Sequence, residues 1–239
     1  MIVYGRNPVG EALRGRRAHT VKDIWASGGA AREPWLEGVK VKLVSGEELE
    51  RRCGSNAHQG ICAEAGGYPY VGSEELLKVS GEPLLLALDQ IVDPQNLGSI
   101  CRTAECAGAS GVIIPERRSA DVTPAVCKAS AGAVEHLRIA KTRNIADFLG
   151  DARERGYWCY GASTSAEAVP YDQPDYTGRV VLVLGSEGSG LRPRVAGACD
   201  QLIALGQHGQ IQSLGVSAAA AALLYGILHG RSKGLDKAP

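Results

Sequence analysis

Val180-Val181-Leu182-Val183-Leu184-Gly185-Ser186-Glu187-Gly188-Ser189-Gly190-Leu191 joins five consecutive valine and leucine residues to a loop with three glycines. The apolar run leaves no polar position for a solvated face, so it reads as a strand buried on both sides, the habit of a parallel sheet. Pro83-Leu84-Leu85-Leu86-Ala87-Leu88-Asp89 has the same character, and shorter runs recur at Gly111 to Ile114, Leu137 to Ala140, Tyr157 to Gly161 and Gln201 to Leu205. Helix-length segments separate most of them. Strand and helix in alternation predict an α/β domain, a parallel sheet covered by helices. In such sheets ligands bind at the loops leaving the carboxyl ends of the strands.

Upstream, residues 1–70 read as a smaller α/β unit. Its strands are expected near Val21 to Trp25, Val39 to Val44 and Gly60 to Glu64, with a helix starting at Ser45-Gly46-Glu47-Glu48-Leu49. Gly66-Gly67-Tyr68-Pro69-Tyr70 carries turn residues, which divides the chain into 1–70, a linker at 71–82 and a larger domain at 83–239. The chain has 239 residues and no formal net charge, which excludes a protein coated with basic side chains. Residues 1–60 nevertheless hold 10 Lys or Arg against 7 Asp or Glu. Arg14, Arg16 and Arg17 cluster there, either to meet phosphates or as a solvated helix end. Seven cysteines without a C-x-x-C pair argue against a metal site and fit buried thiols in a reducing compartment. The N-terminus lacks a secretory pattern, and no apolar run approaches the ~20 residues that cross a bilayer. A cytoplasmic protein without metal or membrane partner is expected.

Three loops hold the unusual chemistry. In Asp93-Pro94-Gln95-Asn96-Leu97-Gly98-Ser99-Ile100-Cys101-Arg102-Thr103-Ala104, Asp93 and Pro94 suit a helix start and Gly98 permits close approach of another backbone. Arg102 then stands in a helix of small and apolar residues, where it needs a partner, an anionic ligand or a route to solvent. The loop Gly185 to Leu191 is neither a P-loop nor a dinucleotide fingerprint. Glu187 at its centre would repel a phosphate, so a neutral or cationic ligand fits better, although an exposed glutamate in a glycine-rich turn is common. The third loop, Gly206-Gln207-His208-Gly209-Gln210-Ile211-Gln212-Ser213-Leu214-Gly215-Val216-Ser217, leads into an alanine-rich helix ending near His229, with Ser217 as its expected N-cap. His208 reads as a polar loop residue rather than a base.

In this order and spacing the loops resemble the three signature motifs of the SpoU methyltransferases: Asp93 to Gly98 with Arg102-Thr103-Ala104, Gly185-Ser186-Glu187-Gly188 with Gly190-Leu191, and Ser213-Leu214-Gly215-Val216-Ser217. Tyr4-Gly5-Arg6-Asn7-Pro8-Val9, Glu11-Ala12-Leu13 and His58-Gln59-Gly60 resemble the small RNA-binding domain of the subgroup that acts on large-subunit ribosomal RNA. The resemblance implies an α/β fold whose C-terminal part is threaded into a trefoil knot, and an L30e-like N-terminal domain. It also implies a homodimer and S-adenosylmethionine-dependent transfer of methyl to a ribose 2′-hydroxyl, with a guanosine of 23S ribosomal RNA as the target. Asn96, Arg102, Glu187 and Ser213 carry over as catalytic candidates, and Gly185, Leu205 and Leu214 as the cofactor pocket.

One position departs from the family. Where the third motif reads Ser-Leu-Asn-Val-Ser, this chain has Gly215 for the asparagine, and the flanking Ile-Pro-Met is replaced by Leu205-Gly206-Gln207. A guanidinium is effectively always protonated. Arg102 is therefore expected to grip a phosphate and stabilise charge on oxygen rather than act as a base, with Asn96 and Glu187 holding it and the ribose, and Ser213 orienting the nucleotide. The alternatives are a catalytically impaired RNA-binding or ribosome-assembly factor of the same fold, and a 2′-O-methyltransferase acting on transfer RNA.

Overall fold

The computed structural model describes residues 1–211 and 213–235, so Gln212 of the third loop and the last four residues of the 83–239 domain lie outside it. The N-terminal unit runs β1 (Ile2–Tyr4), α1 (Arg6–Ala12), β2 (Asp23–Ala26), β3 (Val41–Leu43), α2 (Gly46–Cys53) and β4 (Ile61–Glu64), and its sheet has the order β1-β4-β2-β3. The larger part runs α3 (Ser73–Leu77), β5 (Leu84–Asp89), α4 (Pro94–Cys106), β6 (Gly111–Pro115), α5 (Pro124–Ala129), β7 (Ile139–Thr142), α6 (Ile145–Glu154) and β8 (Tyr157–Ala162). It continues with β9 (Val169–Pro170), β10 (Arg179–Gly185), α7 (Pro193–Ala196), β11 (Gln201–Ala204) and α8 (Val216–Leu235).

Seven strands form one sheet in the order β7-β6-β5-β10-β8-β11-β9, with every pair parallel. The strand β10 expected from the apolar run is central, in register with β5 from Val180–Leu84 to Gly185–Asp89. Alternate residues of these strands feed opposite faces. Leu84, Leu86, Leu88, Leu182 and Leu184 pack with Leu97 and Ile100 of α4 and Leu223 and Leu224 of α8, while Leu85, Ala87, Val181 and Val183 pack with Ile145, Phe148 and Leu149 of α6.

The starts of α2, α4, α5 and α6 follow side-chain caps. Ser45 Oγ accepts from Glu48 N at 3.2 Å, and α2 carries Glu47 and Glu48 in its first turn and Arg51 and Arg52 in its last, matching the helix dipole. Asp93 Oδ1 accepts from Gln95 N at 3.0 Å ahead of Pro94. Gly98 lets α4 and α5 touch, since a Cβ there would lie 2.4 Å from that of Ala129.

Several expectations change. Neither β1 nor β9 stood out in the sequence, because two or three residues carry no usable period. The strand expected at Leu137 to Ala140 begins at Ile139, since Leu137 belongs to the turn that receives the N-terminal unit. The stretch read as a linker is packed chain: Val71 bridges to Ala140, and Leu76 and Leu77 of α3 are buried against Tyr157 and the α6 face. The last helix passes His229 and reaches Leu235, and Ser217 lies inside it rather than capping it.

The arginine cluster divides: Arg14 is exposed, whereas Arg16 and Arg17 are turned inward and held by the fold. Arg17 is fully buried with Glu135, Nε to Oε2 at 2.7 Å and Nη2 to Oε1 at 2.5 Å, and its Nη1 donates to Gly66 O at 2.9 Å. Burial opposes the guanidinium's charge, but the hydrogen bond and charge of Glu135 outweigh it and hold the pKa above its ordinary value. Arg16 donates to Leu137 O, and Tyr68 to Leu137 O at 2.7 Å. Arg14 pairs with Glu11. Val3, Val9 and Ile24 share one apolar cluster with Val126 and Val134, so the two units meet across a closed seam.

Candidate functional site

The site is assembled at the carboxyl edge of the sheet from the three loops singled out above. At the end of β10 the chain doubles back: Ser186 N donates to Gly190 O at 3.1 Å and Gly190 N to Ser186 O at 2.9 Å. A Cβ on Gly185 would sit 2.1 Å from the carbonyl carbon of Gly190, so the neck of this loop admits no side chain. The base of the loop is held by Asp89, the residue paired with Gly185 in the ladder. Its buried carboxylate accepts from Arg192 N at 2.9 Å and Nε at 2.8 Å, with Nη2 at 2.6 Å. Asp89 and Arg192 escaped the sequence reading. The available signal was a charge closing an otherwise apolar strand, where only a fixed partner makes burial tolerable.

Hydrogen bonds tie the loops together in series. Asn96 Oδ1 accepts from Ser217 Oγ at 2.7 Å, joining α4 to the first turn of α8. One residue back, Val216 N donates to Glu187 Oε1 at 3.2 Å, joining α8 to the glycine-rich loop. The backbone between them turns at Gly215, whose φ is +80°, and Ser213 Oγ accepts from Gly215 N at 3.2 Å. Glu187 thus satisfies a backbone donor at the start of α8 in the manner of a cap supplied from another loop.

A cavity of about 790 Å³ opens between the glycine-rich loop, the third loop and residues 162–165 at the end of β8. Gly185, Glu187, Leu205, Ser213 and Leu214 all line it, as does His208. Asn96 is not part of the lining; it bonds Ser217, the residue after Val216, which is. Arg102 is not part of the lining; it lies on the exposed side of α4 and has no ion-pair partner among the described residues. Among the described residues the lining contains no Lys or Arg, and Glu187 is its carboxylate. The cavity therefore favours a ligand that is neutral or positive where it meets Glu187. Its remaining surface is backbone, small or apolar side chains and the polar Gln207 and His208, a mixture suited to a heterocycle.

Residues 83–225, which include all three loops, match the family model of the SpoU rRNA methylases. The chain belongs to the SpoU rRNA methylase family. Residues 2–71 match a second model, RNA 2′-O ribose methyltransferase substrate binding. The chain is 37% identical over 235 residues to the 23S rRNA (guanosine-2′-O-)-methyltransferase RlmB of Pseudomonas putida, covering 93% of this chain and 94% of the relative. Among solved structures it is similar to the AdoMet-bound rRNA methyltransferase of Sinorhizobium meliloti, with a TM-score of 0.79 and 27% identity over 95% of this chain and 86% of that one. The SpoU methyltransferase AviRb of Streptomyces viridochromogenes, in complex with AdoMet, shares the fold with a TM-score of 0.77 and 23% identity, over 97% and 90% of the two chains. For this SpoU methylase the series Asn96–Ser217–Val216–Glu187 is then one continuous support running through all three family motifs.

Proposed function

We propose that this SpoU methylase transfers methyl from S-adenosylmethionine to a ribose 2′-hydroxyl of RNA, with a guanosine of 23S ribosomal RNA as substrate. The observation that carries the reading is a cavity between the second and third loops that has no Lys or Arg among the described residues and bears the Glu187 carboxylate, with Asn96 of the first loop tied to the third through Ser217. That donor set fits the cofactor's sulfonium charge, and the narrow neck at Gly185 and Gly190 leaves backbone groups to meet it. Gly185, Leu205 and Leu214 hold it in this reading.

The bound cofactor supplies an activated methyl group for in-line displacement. The protein's part is alignment, which can contribute on the order of 7–11 kcal/mol in well-oriented reactions. Arg102 stays protonated, grips the phosphate beside the target ribose and stabilises negative charge as the hydroxyl loses its proton. Its exposure on α4, outside the cofactor cavity, suits a residue on the RNA side. Asn96 and Glu187 fix the start of α8 between the two reactants, and Ser213 orients the nucleotide.

The same reading covers the finer architecture. Residues 1–70 are an L30e-like unit that selects RNA, and 83–239 the catalytic domain. The passage from β11, near the far edge of the sheet, back to α8 against α4 beside β5 supports a trefoil knot that builds the cofactor site. Ala218, Ala222, Tyr225, His229 and Ser232 form an exposed stripe at three- and four-residue spacing along α8, which supports a homodimer. An RNA-modifying role and free cysteines support a cytoplasmic location; no helix among the described residues is long and apolar enough to cross a membrane.

The test is transfer of labelled methyl to 23S ribosomal RNA taken from cells lacking the gene, with the modified ribose mapped. Transfer to one 2′-oxygen is expected. RNA binding without transfer would overturn the enzymatic reading, and transfer only to transfer RNA the choice of substrate.

A further inference from the structure

We propose that the loop Glu116–Asp121, which leaves the carboxyl end of β6, is a phosphate clamp in which Arg117 and Arg118 hold the RNA backbone flanking the reacting nucleotide. The inference rests on the RNA-methylating reading and adds a second point of contact to it. Parallel pairing puts the ends of β7, β6, β5 and β10 on one edge of the sheet, in that order. The cofactor cavity occupies the β10, β8 and β11 side of that edge. On the other side, past β5, come Arg117 and Arg118 after β6 and Arg143 after β7.

All three arginines are exposed, and none has an ion-pair or hydrogen-bond partner for its side chain among the described residues. That contrasts with Arg6, Arg14, Arg51, Arg52, Arg153, Arg192 and Arg194, each held by a carboxylate. The acids nearby do not cancel the charge. Asp121 is paired with Lys141 at 2.5 Å, which leaves exposed Glu116 against Arg117, Arg118 and Arg143.

The loop is also built to be rigid. Ala120 N donates to Ile91 O at 2.8 Å and Ser119 Oγ to the same carbonyl at 3.3 Å, which fastens the loop to the segment that leads into Asp93 and Asn96. Val122 N donates to the Tyr70 hydroxyl at 2.8 Å, and Lys141 lies over the Tyr70 ring, 4.5 Å from its centroid. Glu116 N donates to Thr142 O at 2.9 Å. Between these anchors Arg118 takes a φ of +59°, a conformation that is strained for a non-glycine residue and persists only where its surroundings impose it. The backbone of such a pre-ordered loop loses little freedom when a phosphate arrives, and each guanidinium offers a fork of donors matched to its oxygens.

The test uses full-length protein and 23S ribosomal RNA, comparing the unaltered chain with Arg117→Ala/Arg118→Ala and Arg117→Lys/Arg118→Lys. RNA affinity is measured across a salt series, cofactor affinity and thermal midpoint serving as controls for folding. The alanine pair is expected to weaken RNA binding about tenfold or more and to flatten the dependence of log affinity on log salt by roughly 1 to 2. Its loss in methylation should fall on the KM for RNA, with cofactor affinity unchanged. The lysine pair should keep the salt dependence and recover part of the affinity. An unaltered salt dependence and RNA affinity in the alanine pair would overturn the clamp while leaving the enzymatic reading standing. Failure of the unaltered protein to bind 23S RNA would overturn both.

Discussion

The seam between the two units and the carboxyl edge of the large sheet are both rich in arginine, yet they use it in opposite ways. At the seam Arg17 is sealed from water and each of its three side-chain nitrogens has a partner in Glu135, Gly66 or Cys127. At the edge Arg102, Arg117 and Arg118 are exposed and unpaired among the described residues. A buried ion pair contributes little net stability over an apolar substitute but is costly to break, so it fixes one arrangement of the units. Exposed unpaired arginines contribute nothing to the fold and keep their donors for an anion from outside. Position in the tertiary structure, rather than residue type, separates the arginine locked into the fold from those left free to meet a ligand.

The comparison breaks most sharply at the seam. Arg17→Met strands Glu135 without its cation and is expected to cost about 3–5 kcal/mol of stability, whereas Arg17→Met/Glu135→Leu should recover most of it. Urea or thermal unfolding of the three proteins decides this, and equal midpoints for the single variant and the parent would show that the pair holds nothing. Removal of residues 1–70 is worse than either, since it uncovers Val126 and Val134 together with Glu135; the remainder should lose soluble yield rather than RNA affinity alone.

At the edge, Arg102→Ala should leave the unfolding midpoint unmoved and lower methyl transfer by on the order of 10²–10³, the usual effect of losing one donor to developing charge. Cofactor affinity, read by titration calorimetry, should scarcely change. A stable variant with full transfer would remove Arg102 from the chemistry.

Gly185→Ala tests the neck of the cofactor loop. Its methyl would overlap the Gly190 carbonyl, so the loop must open, at about 1–3 kcal/mol, or roughly tenfold to a hundredfold in cofactor affinity. Affinity equal to the parent's would mean that the loop shape does not matter for binding.

The smallest expected effect is at Gly215. The φ of +80° shows a loop adapted to glycine, and a Cβ there would stand 3.4 Å from Glu187 Oε1. Gly215→Asn, which restores the family residue, should therefore weaken cofactor binding several-fold, about 1 kcal/mol, without speeding transfer. Faster transfer with intact affinity would instead make the glycine a catalytic deficit.

The sequence by itself determined the parallel sheet and the three loops of the site. Five or six consecutive apolar residues can be placed only where both faces of a strand are covered, and short motifs such as Asp93-Pro94-Gln95-Asn96 are contiguous in the chain. Caps at Ser45 and Asp93 were legible for the same reason, because their bonds reach two or three residues. The Asn96–Ser217 and Asp89–Arg192 contacts, separated by 121 and 103 residues, were not. Nor was the fate of Arg16 and Arg17, whose partners Leu137 and Glu135 lie 121 and 118 residues away in a turn that carries no motif of its own. Ser217 looked like a helix cap because local chemistry allowed it, and only the approach of α4 and of Glu187 turned its hydroxyl to Asn96 and left Gly215 to make the turn. Local propensity reads bonds that close within a turn of chain; the ion pairs and long-range hydrogen bonds that lock this molecule depend on which surfaces the folded sheet brings together.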